Sequence, residues 1–519
     1  MNPNVPLGTL LEGLGGRPSG AWEGRRVRGI ATDSRRVEAG DLFVALGGEH
    51  THGARFIQEA LHRGAVGVVS DPSATALLEG VPGLLHNDPL SILPRLALRL
   101  YGDPASHLTI HGVTGTNGKT TTALLIATIL EASGIKVAHW TTTDVSSGGR
   151  HFRPKWTTPH AHDIQRFFYE AHHEGAEHAV LEVSSHGVAQ GRITGIPFAT
   201  GVVTNVTPDH LDFHGDFAHY VAVKESFVRS LPPTSFAVLN ADDPVTRTFA
   251  RSTRAEVILS GVGPDADVTA RDVVLTPTDA HFKVVVRRDG LGAPAGSAFP
   301  VRLPLVGRHN ISNALMAFAA SLSAGADPHE ASRALATTPP PPRRLERQTI
   351  GPYTILNDVA MNEASYDTVL ATVAELGFRS HVIVHAVRGQ RGTDVNARIV
   401  RILARWDETL HFAPLITSLS RDTLAASPVD QTVGDDELEA VLSEAERCHL
   451  AVHLHDELRE AITEAVSRLE PGGLLVLLGT FGMDDGPAMA AEALARRLGR
   501  RNVKGIRYQS QEDAPPRRP

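Results

Sequence analysis

One cysteine, Cys448, stands in 519 residues. An internal disulfide framework is therefore excluded, and a reducing compartment is the expected setting. No apolar stretch approaches the roughly 20 residues that span a bilayer, and the first residues carry no basic segment followed by an apolar core. A cytoplasmic protein with no membrane partner is expected. Excess positive charge is missing too. The net charge is -8, which argues against a general nucleic-acid binder without forbidding a local anion site.

What the chain does have is alternation. Strand-like and helix-like runs succeed one another along a polypeptide too long for one core, so an α/β protein of two to four domains is expected. The most informative stretch is His111-Gly-Val-Thr-Gly-Thr-Asn-Gly-Lys-Thr-Thr-Thr122. Residues 108–113 suit a buried strand, and residues 121–133 suit a helix stopped at Gly134. Between them lies a phosphate cradle formed by Gly115, Thr116, Asn117, Gly118, Lys119, Thr120 and Thr121. The glycines allow close backbone approach, and the N–H groups of the helix start face an anion. Lys119 adds a point charge, and Thr120 offers a hydroxyl to magnesium. Val113 occupies the place of the first Walker glycine, so the pattern is the shortened Gly-x-x-Gly-Lys-Thr.

Ahead of the cradle, strands at 40–46 and 65–69 flank a helix over 54–63, a small βαβ layer. Asp33-Ser34-Arg35 precedes it, and from spacing alone a turn with a solvated arginine explains these residues equally well. After the cradle comes a strand at 136–140, then the polar turn Thr157-Thr158-Pro159. An apolar strand at 179–183 follows and carries Glu182, ahead of Ser184-Ser185-His186. An acidic residue there is where phosphate-loop folds hold the magnesium partner. A buried carboxylate without a counter-charge costs several kcal/mol, so metal coordination is favoured over a structural ion pair.

The segment Asn205-Val-Thr-Pro-Asp-His-Leu-Asp-Phe-His-Gly215 is dense in oxygen and imidazole groups. His210 and His214 stand four apart, but Leu211 sits where a metalloprotease needs glutamate, so zinc hydrolysis is disfavoured. His160, His162, His172 and His173 read as surface residues. Lys224, on a helix over 220–227, has the pattern of a snorkelling lysine. Alternation over 267–301 suggests a small antiparallel insert, and a long helix opens after 305 with Asn310 and Asn313 at its start. Four prolines at 339–342 mark a boundary. Beyond it, strands at 354–356, 381–385, 410–416 and 474–478, with helices between, suggest a doubly wound sheet. Residues 506–519 read as a disordered tail.

Together these motifs resemble the Mur ligase family, in its MurE-type branch, which adds the third residue of the peptidoglycan stem. The resemblance rests on Asp33-Ser34-Arg35 with residues 40–46, Gly115 to Thr120, Thr157-Thr158-Pro159, Glu182 to His186, Asp209 to Gly215, Lys224 and His309-Asn310. It implies three α/β domains. Residues 1–104 would form a small uridine-nucleotide-binding domain, 105–338 a central P-loop ATPase-like domain, and 339–505 a C-terminal Rossmann-like domain. It further implies ATP and two Mg²⁺ ions as cofactors, with UDP-MurNAc-dipeptide and a free amino acid as substrates, handled by a monomer. Lys119, Glu182, His210 and Lys224 would be catalytic. Lys224 would be carbamylated, and would share a metal site with His210 and Glu182, while Thr120 and Glu182 would serve the ion on the ATP phosphates. Ser34 would contact the uridine nucleotide, and Thr157, Thr158, Ser184 and Arg192 the muramoyl-dipeptide. Asn310, Arg344 and Asp358 would hold the adenine, phosphate and ribose portions of ATP.

Residues 339–505 depart from the family pattern. Arg343 replaces a glycine at the joint, and Asp358-Val-Ala-Met-Asn-Glu363 keeps only Asp358 and Ala360 of the usual motif. The diaminopimelate-selecting Asp-Asn-Pro-Arg is replaced near Ser418-Leu-Ser-Arg421, and the late Gly-Lys-Gly-His-Glu becomes Gly479-Thr-Phe-Gly-Met-Asp484. Lysine or ornithine is therefore the expected acceptor, with Arg388, Arg391 or Arg421 as candidates for its carboxylate. The competing readings are a folylpolyglutamate- or cyanophycin-type ligase on the same scaffold, and a non-catalytic nucleotide-binding homologue.

Overall fold

The structure is a computed structural model and describes residues 3–48, 51–425 and 431–499. The expected tail at 506–519 lies outside the described residues. Three main sheets follow one another along the chain, spanning Arg17 to Leu85, Thr109 to Leu303 and Glu346 to Leu478. All are flanked by helices, as an α/β chain requires.

The central sheet has eleven strands. Its parallel heart runs in the spatial order Val137–Trp140, His178–Glu182, Thr109–Thr114, Phe198–Val203, Phe236–Asn240 and Glu256–Ser260. Alternate residues feed two cores. Val113, Val180, Val202, Val238 and Ile258 pack on one side, and Ile110, Leu181, Val203, Ala237 and Leu239 on the other. Burial on both faces explains why these strands read as continuous apolar runs. The helix Lys119–Ala132 and the helix Arg308–Ser323 cover the first side.

The strands Val268–Leu275, Ala280–Val286 and Ala298–Leu303 are antiparallel, as their alternation suggested. They are no separate insert, however. Val268 pairs with Ser260, so the hairpins extend the central sheet. On the opposite edge an unanticipated hairpin, Val145–Ser147 with Arg150–Phe152, adds two more strands.

In the last sheet the order after Glu346–Ile350 is Tyr353–Asp358, Leu474–Leu478, His381–Ala386, Leu415–Ser418 and Val452–His455, with parallel pairing throughout that set. The strand expected at 410–416 is displaced. Leu403 and Leu410 are buried at helical spacing, so the helix Thr393–Leu410 takes that segment and the strand begins only at Leu415. Asp407 stops the helix by accepting from Phe412 N and Ala413 N, at 2.7 and 2.8 Å. The first sheet orders Arg17–Ser19, Gly83–Leu85, Gly67–Ser70, Asp41–Val44 and Gly29–Ala31. The helix expected over 54–63 is split into a 3-10 turn, Gly53–Phe56, and the helix Ile57–His62.

Thr109–Thr114 lies where the central sheet changes direction, since its sequence successors pair on one side and Phe198–Val203 on the other. Ligand crevices form at such a point, outside the carboxyl ends of the strands.

Candidate active site

At the end of Thr109–Thr114 the chain turns through Gly115 at φ 144°. A Cβ there would lie 1.8 Å from Thr204 Oγ1, and a Cβ on Gly118, at φ 84°, would lie 2.4 Å from Asn313 Oδ1. Both positions thus need glycine. The helix Lys119–Ala132 then opens without a capping side chain, so its first-turn N–H groups remain available to an anion. Asn205 fastens the loop. Its carbonyl accepts from Thr116 N at 2.8 Å, its Oδ1 accepts from Asn117 N at 2.9 Å, and its Nδ2 donates to Asn117 O at 2.9 Å.

Lys119 Nζ donates to Thr116 O at 2.8 Å. Burial lowers its pKa, against the raising charges of Glu182 and Asp209. Glu182 is fully buried, yet among the described residues no cation pairs with it directly. Its Oε2 accepts from Thr120 Oγ1 at 2.9 Å, Thr142 N at 2.8 Å and Thr142 Oγ1 at 3.0 Å. Thr142 also meets Thr157, hydroxyl to hydroxyl, at 2.9 Å. Sequence reasoning missed Thr142 and Asn205. The usable signal was position, since each follows a strand that neighbours the phosphate loop in the sheet or its flank.

Lys224 does not snorkel. It is 1% exposed, and its Nζ donates to Gly115 O at 2.7 Å. Burial, reinforced by the charge of Lys119, holds its pKa well below the ordinary value. His210 occupies a left-handed turn at φ 52° ahead of Leu211–His214. Burial keeps its imidazole neutral, although Asp209 pulls the other way, and the His186 ring stands edge-on to it with the two ring centroids 4.7 Å apart. His214 lies close by, 5.7 Å from His186. Thr120 and Glu182 thus supply two touching hard-oxygen groups of the kind magnesium takes. Among the described residues, however, no group of three or more His, Cys, Asp or Glu side chains could hold a metal ion.

Residues from the last unit reach this crevice. Asn362, the N-cap of Glu363–Glu375, donates to Asp209 Oδ2 at 3.0 Å and accepts from Asn117 Nδ2 at 3.2 Å. Arg391 donates to Asp209 Oδ1 at 2.7 Å and lies 3.2 Å from His210 Nδ1. Arg344 reaches Thr120 Oγ1 at 3.5 Å. Asp358 accepts from Leu345 N at 2.9 Å, and burial lifts its pKa to about 6 against the nearby charge of Arg344. Asn310 is buried at its helix start, where it donates to Val306 O at 2.8 Å and accepts from Asn313 at 3.0 Å. Thr121 is buried in the first turn of the helix Lys119–Ala132.

Thr158 Oγ1 donates to Glu182 O at 2.7 Å and accepts from Ser184 N at 2.8 Å, while Thr158 O accepts from Arg192 Nη1 at 2.6 Å. Ser184 caps Ser185–Ala189. Ser34 lies in the first unit and donates to Glu59 Oε2 at 2.8 Å. Its neighbour Asp33 is ion-paired with Arg35 and also feels Lys155, two residues before Thr157. Of the histidines read as surface residues, His172 and His173 are exposed, but His162 is buried, because its helix, Ala161–His173, packs that face inward.

Comparison with known proteins decides the family. Residues 113–321 match the Mur ligase middle domain, and residues 26–89 match the Mur ligase family catalytic domain. A relative from Streptomyces coelicolor, UDP-N-acetylmuramoyl-L-alanyl-D-glutamate--2,6-diaminopimelate ligase, is 32% identical over 489 residues, covering 92% of this chain and 91% of its own. The chain belongs to the Mur ligase family. The fold of this Mur ligase is shared by MurF from Acinetobacter baumannii, with a TM-score of 0.70 at 17% identity, over 95% of this chain and 99% of that one. It is shared also by MurF ligase from Thermotoga maritima in complex with ADP, with a TM-score of 0.67 at 18% identity, over 91% and 99%. Like its relatives, this Mur ligase is an ATP-dependent amide ligase. Among its described residues no helix is long and apolar enough to cross a membrane.

Proposed function

We propose that this Mur ligase adds the third amino acid of the peptidoglycan stem to UDP-N-acetylmuramoyl-L-alanyl-D-glutamate, with ATP as energy source, in the cytoplasm and as a monomer. The observation that carries the reading is the meeting of Lys119, Thr120 and Glu182 with the third-unit residues Arg344, Asn362 and Arg391 over one phosphate loop. Residues 1–104 grip the uridine nucleotide through Ser34, residues 105–338 hold ATP, and residues 339–505 close over both. The names of the relatives support this substrate.

A carboxylate is a poor electrophile. The γ-phosphoryl group of ATP first passes to the D-glutamate carboxylate, giving an acyl phosphate and ADP. The amine of the incoming amino acid then attacks the acyl carbon, an amine proton is lost, and inorganic phosphate leaves. Lys119 and Arg344 neutralise phosphate charge, the loop N–H groups orient the nucleotide, and Asn310 and Asp358 face its adenosine. Thr157, Thr158, Ser184 and Arg192 position the dipeptide. The Asn362 and Arg391 contacts keep water from the acyl phosphate.

Magnesium, when bound, neutralises the transferring phosphoryl group. Thr120 and Glu182 would hold one ion, their oxygens already side by side at 2.9 Å. A second ion at His210 requires Lys224 to carry a carboxylate, and burial of Lys224 favours the neutral amine that adds to carbon dioxide, giving a carbamate and a proton. The acceptor we propose is lysine or ornithine, because the diaminopimelate motif is replaced at residues 418–421. 2,6-Diaminopimelate is the second reading, favoured by the names of the relatives. A screen of amino acids for dipeptide-dependent phosphate release tests both. Faster turnover of diaminopimelate than of lysine and ornithine would overturn the first, and release with no amino acid would overturn the ligase reading.

A further inference from the structure

Four residues, Thr141-Thr142-Thr143-Asp144, join the strand Val137–Trp140 to the hairpin strand Val145–Ser147. Ser146 lies opposite His139 on one side and opposite His151 on the other. Side chains two apart along a strand share a face, so Asp144 is aimed between those two rings. Its Oδ2 accepts from His139 Nε2 at 2.8 Å and from His151 Nδ1 at 3.0 Å, a charged carboxylate having no proton to give. Burial alone would raise the Asp144 pKa, but the hydrogen bonds from the two imidazoles outweigh it and leave the value lowered, so the group is an anion at neutral pH.

The turn does not need this carboxylate in order to close. Thr141 closes it through the backbone of Asp144, since Thr141 N and Thr141 Oγ1 each donate to Asp144 O at 2.9 Å and Asp144 N donates to Thr141 Oγ1 at 3.1 Å. What the carboxylate adds is orientation. It straps the tip to Val137–Trp140, the strand paired with that of Glu182, and also to the outermost strand Arg150–Phe152. The consequence falls on Thr142 at the tip. Its N–H and its hydroxyl both meet Glu182 Oε2, at 2.8 and 3.0 Å, where Thr120 Oγ1 also donates at 2.9 Å. All three donors take the same oxygen. Among the described residues Glu182 Oε1 accepts no hydrogen bond, and it is left to a cation.

Resting on the ligase reading above, we propose that Asp144, clasped by His139 and His151, is a positioning residue for Glu182. Acting through Thr142, it fixes the direction of the Glu182 carboxylate and keeps one of its oxygens free for the divalent cation that accompanies ATP. Hydrogen bonds from an ionised acceptor to two imidazoles are short and directional, which suits them to hold a tip that would otherwise swing on its two flanking strands. A group one hydrogen bond behind a metal ligand typically alters metal affinity by roughly ten- to a hundredfold. Asp144 stands one step further back than Thr142, so a smaller effect of the same kind is expected.

The test compares full-length parent, Asp144→Ala, Asp144→Asn and His151→Ala by two readouts. In the first, phosphate release is followed against magnesium concentration at saturating ATP, dipeptide and amino acid. Half-maximal release is expected to need about three- to tenfold more magnesium in Asp144→Ala and about twofold more in His151→Ala, where one imidazole remains. Asp144→Asn keeps an acceptor in place and should fall between the parent and Asp144→Ala. A role confined to holding the hairpin together would lower the active fraction and leave the magnesium requirement unmoved. The second readout is amide hydrogen exchange in the metal-free enzyme, where the Thr142 N–H is expected to exchange about tenfold faster in Asp144→Ala while the strands Thr109–Thr114 and His178–Glu182 keep their protection. The His151 side chain is 55% exposed, so His151→Ala carries the test even if Asp144→Ala fails to fold. Either readout left at the parent value in every variant that folds would overturn the proposal. A parent that releases no phosphate with any amino acid overturns the ligase reading instead, and the exchange readout, which needs no turnover, still decides whether the clasp holds Thr142 on Glu182.

Discussion

Arg391 Nη2 donates to Asp209 Oδ1 at 2.7 Å, and the two side chains, 7% and 4% exposed, belong to different units of the chain. This buried pair ties the last unit to the loop that carries His210. The Asn362 contact with the same carboxylate completes the tie, at 3.0 Å. Removing one partner of a buried pair leaves the other charge uncompensated, at a cost of about 3–5 kcal/mol.

Arg391→Ala is therefore expected to lower kcat for phosphate release by at least about tenfold, and to open the arrangement, visible as a larger radius of gyration in solution scattering. Burial alone would raise the Asp209 pKa, but the charges of His210 and Arg391 and the hydrogen bonds from Asn362 and Arg391 outweigh it, leaving the value lowered. The contribution of the pair is therefore complete above the ordinary aspartate value of 3.8 and disappears as pH falls through the lower folded value. A compact state that survived Arg391→Ala unchanged would rule out this role.

Glu182→Gln keeps an acceptor for Thr120 and Thr142 but removes the negative charge. The melting temperature is expected to stay within a few degrees of the parent, while phosphate release falls by about a hundredfold or more. Near-parental turnover would show that the carboxylate serves structure only.

Carbamylation of Lys224 makes activity depend on dissolved carbon dioxide. Exhaustive degassing is expected to reduce turnover, and bicarbonate to restore it, with a carbamate signal appearing under ¹³C-labelled bicarbonate. Lys224→Ala should be inactive at any bicarbonate concentration. Full activity in degassed buffer, without a carbamate signal, would exclude the modification.

Asp358 carries a pH signature of opposite sign to Asp209. Its folded pKa, about 6, lies above the ordinary aspartate value of 3.8, so the folded state holds the proton more tightly and stability falls as pH rises between those values. The full effect is on the order of 3 kcal/mol by the conversion of about 1.4 kcal/mol per pKa unit. Denaturant unfolding of Asp358→Asn should lack this decline, which a parallel pH series on both proteins would reveal.

The phosphate loop was legible in the sequence because its parts are contiguous. Strand, glycines, lysine, hydroxyl and helix occur within a dozen residues, and each is dictated by local geometry at Gly115, Gly118 and the helix start. The parallel strands of the central sheet were legible for a related reason, since two buried faces demand unbroken apolar runs such as Ala179-Val180-Leu181. The segment at 410–416 was misread because a short apolar run there fits either period, and only the packing of Leu403 and Leu410 on one helix face distinguishes them. His162 was misread because polar sequence neighbours say nothing about which helix face another unit covers.

By itself, then, the sequence determined the α/β class, the anion cradle and the residue types able to manage phosphoryl charge, all of which depend on bonds between near neighbours. Tertiary structure alone decided that Glu182 would be satisfied by Thr120 and Thr142, that Lys224 would be buried against Gly115 O, and that Asp209 would meet Arg391 across 182 positions of chain. Such pairings depend on how twisted sheets bring their carboxyl ends together. No local propensity encodes that meeting, because its free energy appears only when the distant partners have been desolvated together.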